Sequence, residues 1–350
     1  MLELVQSVTN SPSFLGSLPK LAIAIIFIFA GALILTIFAA ITALVGVYLE
    51  RKISAHMQDR VGPMHVGWHG VVQTLADAIK LLIKEDIVPK AADKGLHLLA
   101  PFMVFTATIA AFVVLPFGKS LVVSNLNVGV LYVIAISSFV VIGIILAGWA
   151  SNNKWSLLGA MRSAAQIVSF EIPASLAVVV VIMAVGSMNL PDIIAYQSGG
   201  MFSWLIFKFF PFNLIAFFIF FVASLAEVNR APFDIPEAES EIIAGFHTEY
   251  SGMKWAMFFL AEYANMFLVG AIGAILFWGG WQSPFGEFLN NGIFQVLWFF
   301  LKVFILIFVQ IWLRWTLPRV RVDQLMYTSW KVLTPFAFVA MIGVGIYMVL

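Results

Sequence analysis

Acidic residues gather between positions 227 and 262 of a chain that carries few charges. Seven of the 18 acidic residues fall there, although 11% of all positions are charged. They are Glu227, Asp234, Glu237, Glu239, Glu241, Glu249 and Glu262. Carboxylates of this kind bind cations or hold and release protons. Which chemistry applies depends on the elements that position them.

Two prolines and two apolar flanks define those elements. Pro232 and Pro236 prevent a continuous helix, because each lacks an amide hydrogen and restricts the residue before it. Residues 213–226 and 255–277 are almost entirely apolar. The pattern therefore predicts an acidic loop over 228–254 that joins two membrane-spanning helices, with Glu227 and Glu262 at or inside their ends.

The whole composition is that of a polytopic membrane protein. The chain is 62% hydrophobic with 34 Phe, and its mean hydropathy is +1.01; both lie far outside the range of soluble domains. Cysteine is absent, which excludes disulfides and thiolate clusters, and no His pair has the spacing of a metal site. No nucleotide-binding glycine motif occurs, and a net charge of +1 argues against nucleic acid. We expect one all-α domain over 1–350 that binds no metal.

Eight apolar segments are long enough to cross a bilayer. The first, 21–49, has 29 uncharged residues, about 43 Å as a helix against a hydrocarbon core of roughly 30 Å. It must therefore tilt or extend beyond the bilayer. The other seven are 96–117, 128–150, 164–188, 212–227, 255–277, 293–313 and 330–349.

An amphipathic helix is predicted over 68–84. One face within an arc of about 120° carries Trp68, Val71, Val72, Leu75, Ile79, Leu82 and Ile83. The opposite face carries His69, Gln73, Asp77, Lys80 and Lys84. Such a helix lies along the membrane surface. Leu81 falls on the polar face, so we expect a protein contact there.

The distribution of Lys and Arg predicts the orientation. Fifteen of the 19 fall on one side of the predicted spans, which by the positive-inside rule is the cytoplasm. Both termini are then expected outside and the acidic loop inside.

Three charges fall near the middle of predicted spans. Counted from the nearest cytoplasmic basic residue at helical rise, Glu171 lies about 13 Å deep, Glu262 about 12 Å and Lys302 about 18 Å. A charge there costs at least ~2.5 kcal/mol, so it persists where it is paired, protonated or wetted. Pro173 frees the carbonyl of Ser169 beside Glu171, where water is expected to bind. The pattern predicts a polar axis that conducts protons.

Structural roles remain open for the same residues. Lys302 with Glu171 or Glu262 is also compatible with an ion pair that locks helices together. Glu237 and Glu241, at i and i+4, are compatible with a solvated helix face. A cytoplasmic anchor belt would account equally for Arg314, Arg319, Arg321, Trp312 and Trp315.

Five segments carry a resemblance to a known family. They read ERKISAHMQDRVGP, LLGAMRSAAQIVSFEIP, LAEVNRAPFDIPEAESEIIAGFHTEYSG, FFLAEY and RWTLPRVRVDQLM, and together they span 50–326. In this order they resemble the H subunit of respiratory complex I, the bacterial NADH:quinone oxidoreductase, which is the equivalent of mitochondrial subunit 1.

The resemblance implies a subunit at the junction of the membrane and hydrophilic arms, in the bacterial plasma membrane. Such a protein walls the tunnel by which the substrate quinone enters and begins the proton path. It binds no cofactor alone, since FMN and the iron–sulfur clusters belong to partner subunits, and it is not catalytic by itself. The implied partners are the quinone-site and iron–sulfur subunits, the small and antiporter-like membrane subunits, quinone and lipid.

The resemblance also implies roles for individual residues. Tunnel and cytoplasmic-loop positions are Glu50, Arg51, Arg60, Arg230, Asp234, Arg314 and Arg319. Proton-path positions are Glu171, Glu227 and Glu262, with Arg162 beside them, and the mid-depth Lys302 is placed with this group. Coupling-loop acids are Glu237, Glu239, Glu241 and Glu249.

The mechanistic hypothesis is that the acidic loop converts the redox state of quinone into a protonation change at Glu227, passed to Glu262 and Glu171. Two alternatives stay open. One is the homologous subunit of an energy-converting hydrogenase-type complex. The other is an autonomous transporter, which commonly shows a repeated half that this sequence lacks.

Overall fold

The computed structural model describes residues 20–119, 121–236 and 239–350, and these form helices joined by turns. The twelve α-helices, labelled α1 to α12 in order, are Lys20–Met57, Gln73–Ile83, Lys94–Phe112, Gly129–Ala150, Lys154–Val185, Leu190–Tyr196, Phe212–Glu227, Glu239–Ile242, Gly252–Phe277, Gly292–Thr316, Val322–Tyr327 and Thr334–Val349. Within the described residues, extended pairing is limited to one isolated bridge between Pro116 and Val122. The predicted all-α membrane fold is confirmed.

Seven helical stretches are long and apolar enough to cross a membrane within the described part of the chain. The helix Phe212–Glu227 is apolar but shorter, with 16 residues. Each of the eight predicted spans therefore has its helix. That 1–350 forms a single domain stays a prediction, because residues 1–19 lie outside the described part.

Several predicted boundaries were wrong, because helices continue into polar residues that do not interrupt them or that cap them. The helix α1 continues to Met57 instead of ending at Leu49, since no Gly or Pro interrupts the charged residues that follow. The helix α5 begins at Lys154, ten residues before the predicted start, because Asn153 caps it by accepting a hydrogen bond from the amide of Trp155, 3.0 Å away. Polar helix ends extend beyond the apolar segments that hydropathy detects.

The amphipathic surface helix is shorter than predicted. The backbone at His69 and Gly70 has φ of 51° and 77°, which breaks the helical path. A 3₁₀ turn occupies Trp68–Gly70, and the α-helix α2 begins at Gln73. The residues before Gln73 thus form a bend instead of the first turns of a helix.

The last span is irregular. The short helix α11 continues through a π-helical turn, Thr328–Leu333, into α12. π-helical turns are rare and concentrate at functional sites. This turn places Ser329 against α5, as described below.

The helix α9 is the centre of the bundle. In an apolar stretch of 18 residues of α9, 78% of the residues are buried, compared with 11% in the corresponding stretch of α1. It packs against α1, α3 and α10. Because protein surrounds α9, a polar side chain on it, such as Glu262, faces protein groups and internal cavities instead of lipid.

The end of the acidic loop is fastened to α3 and α5. His97 of α3 stacks on Tyr250, with ring centroids 4.1 Å apart and planes 10° apart. Gly159 of α5 approaches the backbone of Gly245 so closely that a Cβ atom on Gly159 would lie 2.6 Å from the Cα of Gly245. The loop is therefore a packed element of the fold.

Replacing Gly245 by Ala tests this packing. Gly245 has φ of +55°, and a Cβ atom there would lie 1.9 Å from the carbonyl oxygen of Pro236. We expect Gly245→Ala to lower the heat stability of the purified assembly and to speed proteolysis of the loop. Gly186→Ala is the matched control, because Gly186 has φ of +78° but nothing within 4 Å; strain alone costs roughly 1 kcal/mol. Equal effects of the two substitutions would contradict the packed loop.

Candidate functional site

A buried arginine, Arg230, organises the polar interior. Its side chain is 4% exposed; Nη1 lies 3.1 Å from Glu50 and Nε lies 3.0 Å from Glu262. The guanidinium also lies over the ring of Tyr263, 4.3 Å from its centroid. Burial alone would lower the pKa of Arg230, but Glu262 and Glu50 raise it well above its usual value. Arg230 is therefore a permanent positive charge shared by two carboxylates.

Glu50 receives two further donors. The Tyr263 hydroxyl donates to Glu50 Oε2 at 2.8 Å. Arg314, near the end of α10, forms an ion pair with Glu50 Oε1. One carboxylate of α1 thus connects the acidic loop, α9 and α10. Removing it would leave Arg230 and Arg314 without this partner.

A cavity of about 410 Å³ adjoins this network. Its charged lining comes from Glu50, Arg51, Arg60, Arg230, Glu262 and Arg314. Trp255, Phe259, Tyr263 and Trp315 supply aromatic surface to the same cavity. The cavity therefore brings six charged side chains and four aromatic rings together.

Five of the seven predicted tunnel positions line this cavity, and two do not. Asp234 and Arg319 form an ion pair with each other at 3.3 Å, away from the cavity. Arg51 forms an ion pair with Asp77, in which Nη1 lies 2.6 Å from Oδ2, and so connects α1 with the surface helix α2. Burial alone would raise the pKa of Asp77, but Arg51 lowers it below the usual value. Arg51 therefore combines a structural contact with its place in the lining.

The cavity of about 410 Å³, called the large cavity from here on, is the first in a row of three. Neighbouring cavities in the row have lining residues in common. Glu262 and His247 line both the large cavity and a second one of about 30 Å³. Glu227 lines the second cavity and a third one of about 60 Å³, which Glu171 also lines. One water molecule needs roughly 10–15 Å³ by such a measure, so both smaller cavities have room for water. The carboxylates predicted as a polar axis thus stand along one row of cavities.

The surroundings of Glu171 differ from the prediction in one respect. The Ser169 carbonyl that Pro173 frees was expected to bind water. Instead it accepts a hydrogen bond of 2.5 Å from the hydroxyl of Ser329 in the π-helical turn. Glu171 itself accepts a hydrogen bond of 2.7 Å from Ser138 of α4. The π-helical turn before α12 therefore secures the proline kink, and α4 orients the carboxylate.

Lys302 forms neither of the ion pairs considered from the sequence. Its ammonium donates to three backbone carbonyls after the end of α9, those of Trp278, Gly280 and Gln282, at 2.7, 2.9 and 2.6 Å. It also lies 4.2 Å from the ring centroid of Trp204. Carbonyls at a helix C-terminus carry partial negative charge, so the cation is satisfied without a carboxylate. Lys302 lines none of the three cavities.

Arg162 and the loop acids lie apart from the row. Arg162 forms an ion pair of 2.5 Å with Glu241 instead of approaching Glu171. Glu249 accepts a hydrogen bond of 2.6 Å from the side chain of Asn153, at the start of α5, the helix that carries Arg162. The backbone of Glu239 begins α8, and Glu237 lies outside the described residues. These contacts fasten the loop to α5.

Sequence reasoning missed the uncharged members of the site. His247, Asn229 and Asn265 line the second cavity, and Ser137 and Ser138 line the third. None carries a permanent charge or belongs to a motif that indicates a site. Among the described residues, no group of three His, Cys, Asp or Glu is placed to hold a metal ion.

Comparison with known proteins agrees with the resemblance of the five segments. The profile of the family described as NADH dehydrogenase matches residues 30–345. A protein of Chlorobium luteolum, named as the H subunit of NADH-quinone oxidoreductase, is 54% identical over 326 residues, covering 89% of this chain and 87% of that protein. One of Anaeromyxobacter dehalogenans with the same name is 45% identical, covering 91% and 81%. One of Geobacter sulfurreducens, named as H subunit 1 of the same enzyme, is 46% identical, covering 91% and 93%.

Replacing Lys302 by Met tests whether it stabilises the fold. Three carbonyls would lose a charged donor, so we expect a loss of about 3 kcal/mol or more, visible as reduced survival of the detergent-solubilised assembly on heating. Lys208→Met is the matched control, because Lys208 donates to one carbonyl, that of Tyr196, at 2.9 Å. Heat survival equal to that of the control would show that the three contacts contribute little.

Proposed function

Because the chain belongs to the NADH dehydrogenase family, we propose that it acts as the subunit of NADH-quinone oxidoreductase that receives quinone and begins the proton path. The observation that carries this proposal is the row of three cavities from the Arg230 network to Glu171. The relatives described above are named for a quinone-reducing complex. The row supplies both a compartment suited to a quinone and carboxylates that lead away from it.

The large cavity suits a quinone headgroup and the start of its tail. Aromatic rings stack on a planar headgroup, and cationic donors such as Arg60 and Arg314 stabilise the negative charge that reduction places on the quinone oxygens. The cavity volume of about 410 Å³ falls in the range of small-molecule sites. Partner subunits are proposed to supply the iron–sulfur clusters that deliver electrons and the FMN that receives them from NADH.

Arg230 connects the cavity with the carboxylates. It faces Glu50 on the cavity side and Glu262 at the start of the row, at 3.1 and 3.0 Å. A charge change on bound quinone alters the field at Arg230, and any shift of that guanidinium changes how strongly it holds Glu262 ionised. The proton then passes along the row by way of Glu227 to Glu171. The acidic loop takes part by holding Arg230 in place.

The partners and the orientation follow from this role. The excess of Lys and Arg on one side predicts that the cavity mouth and the acidic loop face the cytoplasm, with both termini outside. The exposed apolar residues of the surface helix, such as Leu82 and Ile83, would rest in the membrane boundary or against another subunit. The hydrogenase-type alternative is disfavoured, because the relatives compared above are named for quinone reduction.

Replacing the carboxylates of the row by Gln tests the proton path. Glu171→Gln, Glu227→Gln or Glu262→Gln removes a proton carrier while keeping a similar shape, so we expect NADH-driven proton pumping to fall about tenfold or more. Quinone reduction should fall with it, because the two are coupled. Glu287→Gln, an exposed loop acid outside the row, is the control. Wild-type pumping by all three row variants would exclude this path.

Narrowing the large cavity tests quinone entry separately. Ala244 lines the cavity, so Ala244→Phe would occupy part of the space a quinone needs. We expect KM for a long-tailed quinone to rise several-fold, with less effect on a short-tailed analogue. Ala244→Ser, which adds one atom, is the matched control. An unchanged KM for both quinones would place the entry route elsewhere.

A further inference from the structure

The third cavity is lined by two neighbouring serine hydroxyls and by two carboxylates. Ser138 Oγ donates to Glu171 Oε1 at 2.7 Å, and Ser137 lines the same cavity as Glu227. Both serines lie on α4, whereas Glu171 belongs to α5 and Glu227 to α7. One helix thus brings two hydroxyls to a cavity that carboxylates of two other helices also line.

The two hydroxyls also share a carbonyl. Ser137 Oγ lies 2.9 Å from the carbonyl oxygen of Ile134, and Ser138 Oγ lies 3.2 Å from the same atom. Because both oxygens are within hydrogen-bond distance of one atom, they lie no more than about 6 Å apart, a gap that one water molecule can bridge. The Ile134 carbonyl gives each hydroxyl an acceptor, so its proton has a favourable position when it takes no part in a transfer.

We propose that Ser137 and Ser138 relay the proton between Glu227 and Glu171. This inference rests on the proposed function and assigns the transfer between the two carboxylates to two uncharged residues. A hydroxyl suits this role because it accepts a proton on its oxygen while it donates its own. The cavity of about 60 Å³ has room for a water molecule beside the serines.

The transfer balances without any further reactant. Protonated Glu227 gives its proton to Ser137 Oγ, and the original hydroxyl proton of Ser137 passes to Ser138 Oγ, each directly or through a water molecule of the cavity. The original proton of Ser138 passes to Glu171 Oε1. Glu227 ends as a carboxylate, Glu171 ends as a carboxylic acid, and each serine retains one proton. Rotation of the Ser137 hydroxyl back toward Ser138, and of the Ser138 hydroxyl back toward Glu171, by way of the Ile134 carbonyl, resets the relay.

Matched Val and Thr variants test the relay. Val and Thr have nearly the same shape, but Thr keeps the hydroxyl, and in a helix it bonds a carbonyl of the preceding turn as these serines do. We expect the double variant Ser137→Val with Ser138→Val to lower proton pumping about tenfold or more. The corresponding Thr pair should retain most of it. Thr108→Val is the control, because Thr108 donates to the Val104 carbonyl in α3 and lines none of the three cavities.

The single variants separate a relay from two independent structural roles. In a series, losing either hydroxyl stops the transfer, so Ser137→Val and Ser138→Val should each lose about as much as the pair. Independent structural effects would add instead. NADH oxidation with a water-soluble electron acceptor, measured on the same vesicles, reports how much complex has assembled.

Several outcomes would overturn the relay. Equal proton pumping by the double Val variant and the double Thr variant would contradict the relay. So would losses of pumping in the two single Val variants that add up to the loss in the double Val variant. If the Val and Thr pairs fail to assemble, the Ser→Ala pair replaces them, and wild-type pumping by that pair also overturns it. Wild-type pumping by a serine variant alongside loss in Glu171→Gln would reject the relay while leaving the proposed function intact. Wild-type pumping by all the Glu→Gln variants would reject the proposed function itself.

Discussion

The structure depends on the cost of burying charge in a bilayer. An ionised side chain in this environment needs partners, and Arg230 meets that need for two carboxylates at once, at 3.1 and 3.0 Å. Because Glu50 and Glu262 come from α1 and α9, the arginine can be satisfied only when the acidic loop and both helices are in place. The same contacts that stabilise the polar interior therefore fix the loop at the edge of the large cavity.

This constraint explains why α9 lies at the centre of the bundle. A carboxylate in the middle of a membrane helix is tolerated where protein groups and water surround it. The burial of 78% of the apolar stretch of α9 provides that shielding for Glu262. Lys302 meets the same requirement differently, with three carbonyls and the face of Trp204 in place of a counter-ion. The two sites show that mid-depth charges in one sequence can be satisfied in different ways.

Sequence patterns predicted the helices well and the contacts unevenly. Long apolar segments indicate spans because a bilayer demands about 20 apolar residues, so each predicted span has its helix. The same signal ends where polarity begins, which is why α1 and α5 extend past their predicted ends. Scarce mid-membrane acids indicated Glu171 and Glu262, since burying them is costly. The partners of Lys302 could not be predicted, because backbone carbonyls leave no trace in residue types. Nor could Ser137 and Ser138, since serines are common in membrane helices.

The third cavity shows an advantage of placing serine hydroxyls, and not further charged groups, beside two carboxylates. A third carboxylate beside Glu171 and Glu227 would add like-charge repulsion in a small apolar space and would require its own cation. A serine adds a donor and an acceptor without adding charge, and its only structural requirement is a carbonyl such as that of Ile134. The third cavity therefore needs no cation beyond those its two carboxylates already require. In this respect it differs from the Arg230 network and avoids the desolvation cost that buried ion pairs carry, which fits a chain in which 11% of positions are charged.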